Sequence, residues 1–193
     1  MPQPKILILA GSNRTGSNNV KLAALAAKEL TLLDVEVTRI SLQDYPLPLF
    51  EPDLEARSGA PANAVKLKQM MTAHRGVFIA SPEYSASVTP LLKNAIDWVA
   101  RVRERGDVLH AAFRHRVFAI ASVSSEASGG LHGLLALRQI LELGCGALVV
   151  PEQLAIAGGD EVFDELGNIA DTRIANQFHA LLARLVEMSR SVA

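Results

Sequence analysis

Cysteine is almost missing from this chain. Cys145 stands alone, which rules out an internal disulfide, a cysteine-built zinc site and a four-cysteine iron–sulfur cluster. Long hydrophobic runs are missing as well. No apolar stretch reaches the length that spans a bilayer. The N-terminus has no basic segment leading into an apolar one, so no signal peptide is expected. An excess of one charge is also lacking: 19 Lys and Arg stand against 20 Asp and Glu, for a formal charge of -1. That balance leaves no electrostatic footprint for nucleic acid. His74, His110, His115, His132 and His179 show no metal-ligand spacing, and no Cys or carboxylate completes a set around His110 and His115. Neither a catalytic triad nor a carboxylate pair can be read. There is no internal repeat, low-complexity tract or linker. These absences leave a cytoplasmic protein with no nucleic-acid, membrane or metal partner expected, and no side chain marked as catalytic.

What is present is a core. Hydrophobic residues are 49% of the 193, enough for a globular chain of one domain, residues 1–193. Apolar, β-rich runs alternate with helical patterns. Strands are expected at Ile6–Ala10, Val35–Ile40, Gly76–Ala80, Val117–Ala121 and Ala147–Val150. Helices are expected at about Asn18–Leu30, Ala62–Ala73, Pro90–Val102, Leu131–Leu143 and Thr172–Met188, the last capped by Asp171. Pro46, Pro48, Pro52 and Pro61 mark a loop with little regular structure. Several strands are continuous apolar runs, the mark of a parallel sheet covered on both faces. The pattern predicts an α/β doubly wound three-layer sandwich with a five-stranded parallel sheet. In such folds ligands sit beyond the carboxyl ends of the strands. That directs attention to the loops after Ala10, Ala80 and Ala121.

The first loop, GSNRTGSNN (residues 11–19), runs from a strand straight into a helix. Ser12 and Ser17 carry hydroxyls, Arg14 carries a planar fork of donors suited to phosphate, and Asn18 and Asn19 open the helix. Helix N-termini hold anions through free N–H groups and the helix dipole. The alternative is an ordinary polar turn with Ser17 as N-cap. The pattern is neither GxGxxG nor GxxxxGK[ST], so a dinucleotide fold or a P-loop fits poorly. The second loop, SPEYSASVTP (residues 81–90), places Pro82, Glu83, Tyr84 and Ser85 where a planar ring could lie. The third, ASVSSEASGGLHG (residues 121–133), supplies Ser124, Ser125, Ser128, Gly129 and Gly130, with Glu126 an odd guest beside an anion. His132 lies just beyond. Cys145, between two glycines, reads as a packed and inert thiol.

GSNRTGSNN followed by SPEYSASVTPLLKNAIDW resembles the NADPH-dependent FMN reductase family, a flavodoxin-like group that includes quinone, chromate and azo-dye reductases. The family pattern G-S-x-R-x-x-S-x-N is matched by Gly11, Ser12, Arg14, Ser17 and Asn19. The resemblance implies that this segment holds the FMN phosphate. Pro82, Glu83, Tyr84 and Leu92–Trp98 match a second motif, which departs at Ser85, where the family usually has Asn. Ser124, Gly129 and Gly130 keep part of a third, while Ser125 and Glu126 replace its Pro and Gly. The resemblance implies FMN as cofactor, NADPH or NADH as reductant, and a quinone, chromate, azo or nitro compound as small-molecule acceptor. A flavodoxin-type electron carrier is the alternative, although such carriers are strongly acidic. A flavin-free binding module is the third reading.

Helix 91–102 carries two apolar stripes, Leu91/Ala95/Trp98/Val102 and Leu92/Ile96/Val99. Together they are wider than covering a sheet requires. One stripe is expected on the sheet, with Trp98 bordering a subunit interface. Here the resemblance implies a homodimer or homotetramer built through this helix.

Overall fold

The computed structural model describes residues 3–192, and the predicted apolar runs form its central sheet. In chain order the elements are β1 (Lys5–Ala10), α1 (Asn18–Thr31), β2 (Glu36–Arg39), α2 (Pro52–Ser58), α3 (Ala62–Thr72) and β3 (Gly76–Ala80). A small hairpin follows, β4 (Glu83–Tyr84) and β5 (Ser87–Val88). After it come α4 (Pro90–Arg101), β6 (Val117–Ser124), α5 (Leu131–Gln139), β7 (Leu148–Val149), β8 (Leu154–Ala157) and α6 (Thr172–Ser191).

The main sheet is parallel throughout and runs β2-β1-β3-β6, with β7 and β8 both on the outer edge of β6. Five positions therefore exist, as expected, but two pieces share the fifth. Val117 and Phe118 pair with Leu148 and Val149, and Ala121–Ser124 pair with Leu154–Ala157. Pro151, which has no N–H for a ladder, lies in the break. The Arg138 guanidinium spans it, donating to the Val150 carbonyl at 2.8 Å and to Gln153 Oε1 at 3.0 Å. The strand expected at Ala147–Val150 is thus only the first piece, and β8 went unread.

Successive strand residues face opposite ways, and the two cores follow that rule. Ile6, Ile8, Phe78, Val117 and Ala119 face α1 and α6. Leu7, Leu9, Val77, Ile79, Phe118 and Ile120 face α3, α4 and α5. Helices on both faces make the doubly wound sandwich. The strand order reverses between β1 and β3, and a crevice opens there at the strand ends.

One expectation is corrected. Trp98 does not border a subunit surface, because it is fully buried by its own chain. Its indole Nε1 donates to the Pro48 carbonyl at 2.7 Å, and Phe50 packs edge-on at 5.0 Å between ring centroids. Asn94, one turn earlier on α4, accepts from Phe50 N–H at 2.8 Å and donates to the Pro48 carbonyl at 2.9 Å. The proline-rich segment forms the lid of α4. It also contains the short α2, for which Pro52 is well placed in the first turn.

Candidate functional site

Three loops meet at the carboxyl edge of the sheet because four local ties hold them there. The Gly11 N–H donates to the Ala80 carbonyl at 2.8 Å, and the Thr89 hydroxyl donates to the Gly11 carbonyl at 2.6 Å. Thr89 is also the N-cap of α4 and accepts from Leu92 N–H, so the first and second loops share an anchor. Glu83 links the second loop to α5: its carboxylate accepts from Gly133 N–H at 2.8 Å and lies 3.3 Å from His132 Nδ1. Gly130, the N-cap of α5, has no side chain to offer, and Glu83 takes over that role from another element.

Asn19 makes the third tie. Its amide donates to the Val123 carbonyl at 2.9 Å and accepts from Val123 N–H at 3.1 Å. β3 pairs with β6 only as far as Ala121. Past that point Val123 meets the Asn19 amide instead of a further strand. The fourth tie runs from Gly158 N–H to the Ser124 carbonyl at 3.1 Å, placing the turn after β8 beside the third loop. Gly129 and Gly130 have φ of +63° and +89°, and added Cβ atoms would lie 2.7 Å from Ile156 N and 2.1 Å from Ser122 Oγ. Only glycine fits that crossing.

Between the loops lies a cleft of about 290 Å³. Ser12, Arg14, Ser17, Asn18 and Asn19 line it from the first loop, Pro82, Glu83 and Tyr84 from the second, and Ser124 from the third. Ser85 and Gly129 are not brought in. Ser85 sits exposed at the hairpin tip, and Gly129 is buried against β8. Ser125 of the third loop also lines the cleft, as do Val123, Gly159 and Asp160, which sequence reasoning does not single out. The signal for the last two was present: an apolar tetrad, Leu154–Ala157, followed by Gly158–Gly159, is one more strand ending in a turn. Glu126 is exposed and is not part of the lining.

The chemistry of the cleft is that of an anion site at one end. Ser17 is the N-cap of α1 but makes no side-chain cap bond. The N–H groups of Asn18 and Asn19 have no acceptor among the described residues. Arg14 stands exposed beside them, its loop shaped by Arg14 N–H donating to Ser12 Oγ at 3.2 Å. Asn18 Oδ1 is buried and has no hydrogen-bond partner among the described residues. Free helix N–H groups, a dipole and a guanidinium suit a phosphate. A buried lone acceptor requires a hydroxyl or N–H from a ligand or water. Among the described residues, no group of three or more His, Cys, Asp or Glu could hold a metal, and no helix is long and apolar enough to cross a membrane.

Comparison with known proteins identifies the kind of site. The profile of the family described as NADPH-dependent FMN reductase matches residues 4–161. The chain belongs to that family. FMN and a reduced nicotinamide are accordingly its cofactors, and it is an oxidoreductase. A probable NADPH:quinone oxidoreductase 2 of rice is 31% identical over 184 residues, covering 94% of this chain and 86% of the relative. An NAD(P)H-dependent FMN reductase of Pseudomonas aeruginosa is 31% identical over 183 residues, with 92% of each chain covered. Among solved structures, the flavoenzyme NAD(P)H:(acceptor) oxidoreductase of Paracoccus denitrificans superposes with a TM-score of 0.79 at 24% identity over 98% of both chains. That likeness bears on the fold alone.

The structure of this FMN reductase family member gives the Ser85 departure a conformational meaning. Ser85 and Ala86 are the two central residues of the β4–β5 turn, with φ of +49° and +58°. Asn enters that left-handed region more easily than Ser. The family's usual Asn therefore answers a backbone requirement at a residue outside the cleft. Cys145 is buried, and burial pushes its thiol up to about 11, so at neutral pH it is neither nucleophile nor redox centre.

Proposed function

We propose that this reductase, one domain of 193 residues, transfers reducing equivalents from NAD(P)H through FMN to a quinone, with FMN seated in the three-loop cleft. The single observation that carries the assignment is the convergence of Arg14, Tyr84 and Ser124, from three separate loops, on one cleft that begins at the open N-terminus of α1. Bound FMN supplies the two-electron chemistry, accepting hydride from the nicotinamide and releasing electrons to the acceptor.

The chain's own residues bind and orient. The Asn18 and Asn19 N–H groups, the Ser12 and Ser17 hydroxyls and Arg14 form the phosphate end. Asn18 Oδ1, a buried acceptor without a partner among the described residues, would take a hydrogen bond from a hydroxyl of the flavin. Pro82 and Tyr84 would offer apolar surface to the ring, and Ser124 and Ser125 line the same cleft. Tyr84 is 51% exposed, leaving the ring end open to an incoming nicotinamide or acceptor. Glu83 acts at one remove, by fixing the second loop to α5. The nearly neutral chain lacks the acidic surface by which electron carriers dock, so direct reaction with small molecules is the favoured reading. Quinone names among the relatives support the acceptor class.

The test is a flavin titration of the apoprotein followed by anaerobic mixing with NADPH or NADH and a quinone. FMN binds, its visible absorbance bleaches with nicotinamide, and quinone restores it. Arg14→Ala weakens FMN binding by about 1.5–3 kcal/mol, the scale of a hydrogen bond to a charged group. An FMN affinity equal to wild type would remove Arg14 from the phosphate end.

The same reading includes a cytoplasmic location and a homodimer or homotetramer through α4. With Trp98 sealed inside, the α4 surface left for a partner includes the Lys93–Asp97 ion pair (2.7 Å), Leu91 and Arg101. Light scattering across a dilution series reads this directly, and a stable monomer at micromolar concentration rejects it.

A further inference from the structure

Asp160 carries the wrong charge for the place it occupies. It lies in the turn after β8, Gly159–Val162. It lines the same cleft as Ser12, Arg14, Ser17 and Asn18. Its Oδ1 accepts from Lys21 Nζ at 3.1 Å. Lys21 belongs to the first turns of α1, and its ammonium lies 5.9 Å from the centroid of the Phe163 ring. Asp160 therefore brings a carboxylate, paired with Lys21, into the cleft that Arg14 and the open N-terminus of α1 line. The side chain of Asp160 is 82% exposed and that of Lys21 45%. Such pairs add little to fold stability, so stability gives no reason for the contact. The Lys21 bond and charge hold the Asp160 carboxyl below the usual carboxylate range, with Asn18 and Arg14 acting in the same direction. It is thus ionised throughout the neutral range.

We propose that Asp160 competes with the phosphate of FMN for the cationic N-terminal end of α1, so that this chain binds FMN less tightly than its phosphate loop alone would allow. This rests on reading the cleft as the flavin site. A phosphate monoester carries between one and two negative charges at neutral pH. A carboxylate in the same cleft lies well inside the screening length at ordinary salt, so the two anions repel. At the same time Asp160 pairs with Lys21, a cation of α1 that does not itself line the cleft. Asp160 is a specificity-determining residue: it sets how strongly the phosphate, as distinct from the ring, contributes to holding the cofactor. A weaker hold favours exchange of the flavin with solution.

The test compares FMN with riboflavin, which lacks the phosphate. Apoprotein forms of wild type, Asp160→Asn and Arg14→Ala are titrated with each flavin by fluorescence quenching, at low and at high salt. Asp160→Asn is expected to tighten FMN about three- to ten-fold at low salt. Riboflavin affinity stays unchanged, and the gain shrinks as salt is raised. Apoprotein melting temperatures are expected to match, since the residue is exposed. Equal FMN affinity in wild type and Asp160→Asn overturns the proposal, as does an equal gain for both flavins, which would mark a change in the ring environment. Arg14→Ala separates the two levels of inference. If it lowers FMN affinity while sparing riboflavin, and Asp160→Asn does nothing, the competition fails and the phosphate site stands. If Arg14→Ala leaves both flavins at wild-type affinity, the phosphate reading itself fails and the competition falls with it.

Discussion

Asn19 shows how a residue can match a motif for one reason and matter for another. Its position in GSNRTGSNN points to anion binding, and its backbone N–H, in the first turn of α1, has no acceptor among the described residues. Its side chain serves elsewhere, completing the hydrogen bonds of Val123 where the sheet runs out of strands. Removing it exposes a buried N–H and a buried C=O with no replacement. Asn19→Ala is therefore expected to lower stability by about 2–4 kcal/mol, roughly the cost of two unsatisfied buried groups, measured by urea denaturation. Asn19→Asp falls between the two, since a carboxylate accepts from Val123 N–H but cannot donate to its carbonyl. A loss below about 1 kcal/mol for the alanine variant would mean that water replaces the amide. Glu83 gives the same lesson: it matches the second motif, yet its carboxylate accepts from the Gly133 N–H and ties its loop to α5.

Among the elements, the β4–β5 hairpin is where sequence and geometry disagree most. Two residues, Ser85 and Ala86, close it in the left-handed conformation. A tight hairpin needs positive φ at both of its central residues, and the natural pair for that is Asn-Gly. Each L-residue with a Cβ held there costs on the order of 1 kcal/mol. The double substitution Ser85→Asn, Ala86→Gly should raise stability by about 1 kcal/mol, seen as roughly 2–4 °C in a thermal melt for a chain of this size. No rise in melting temperature would mean that the turn is already relaxed. The hairpin was hidden in the sequence because it contains no Gly or Asn to announce it. The second piece of the fifth strand was obscured by Pro151, which ends an apolar run three residues before pairing resumes at Leu154. Strands and helices with long, uninterrupted patterns were legible to within a few residues at their ends.

At the scale of the whole molecule, one buried charge ties the helical layer together. Lys68 of α3 is almost fully buried, and its ammonium meets the carboxylates of Glu104 and Asp107 in the segment after α4. Burial acts to lower the Lys68 pKa, but the hydrogen bonds and charges of the two carboxylates outweigh it and leave the pKa above its ordinary value. The Lys68 hydrogen bond, helped by Glu104 N–H, holds the Asp107 carboxyl below its ordinary value. Asp107 therefore contributes stability above about pH 4 and loses it as pH falls through its depressed value. Lys68 contributes below about pH 10 and loses it as pH rises through its raised value. Lys68→Met should lower the melting temperature most on the plateau between these limits, and the gap to wild type should narrow as Asp107 protonates in acid. A gap that stays constant from neutral pH down to about pH 3 would show that the cluster acts through packing alone.

The sequence by itself determined the α/β class, the parallel sheet and the three loops that carry the chemistry, because apolar period and turn composition are local properties written residue by residue. It also marked ten of the cleft-lining positions, Ser12 through Ser125, since loops at the carboxyl ends of parallel strands have nowhere else to converge. Only the tertiary structure decided what each side chain touches. Trp98 is sealed by a proline-rich lid instead of facing a partner, Asn19 stands in for a strand, and the turn after β8 carries Asp160 into the cleft. These depend on contacts between residues from 50 to well over 100 positions apart along the chain, and a contact of that kind is set by how the layers pack.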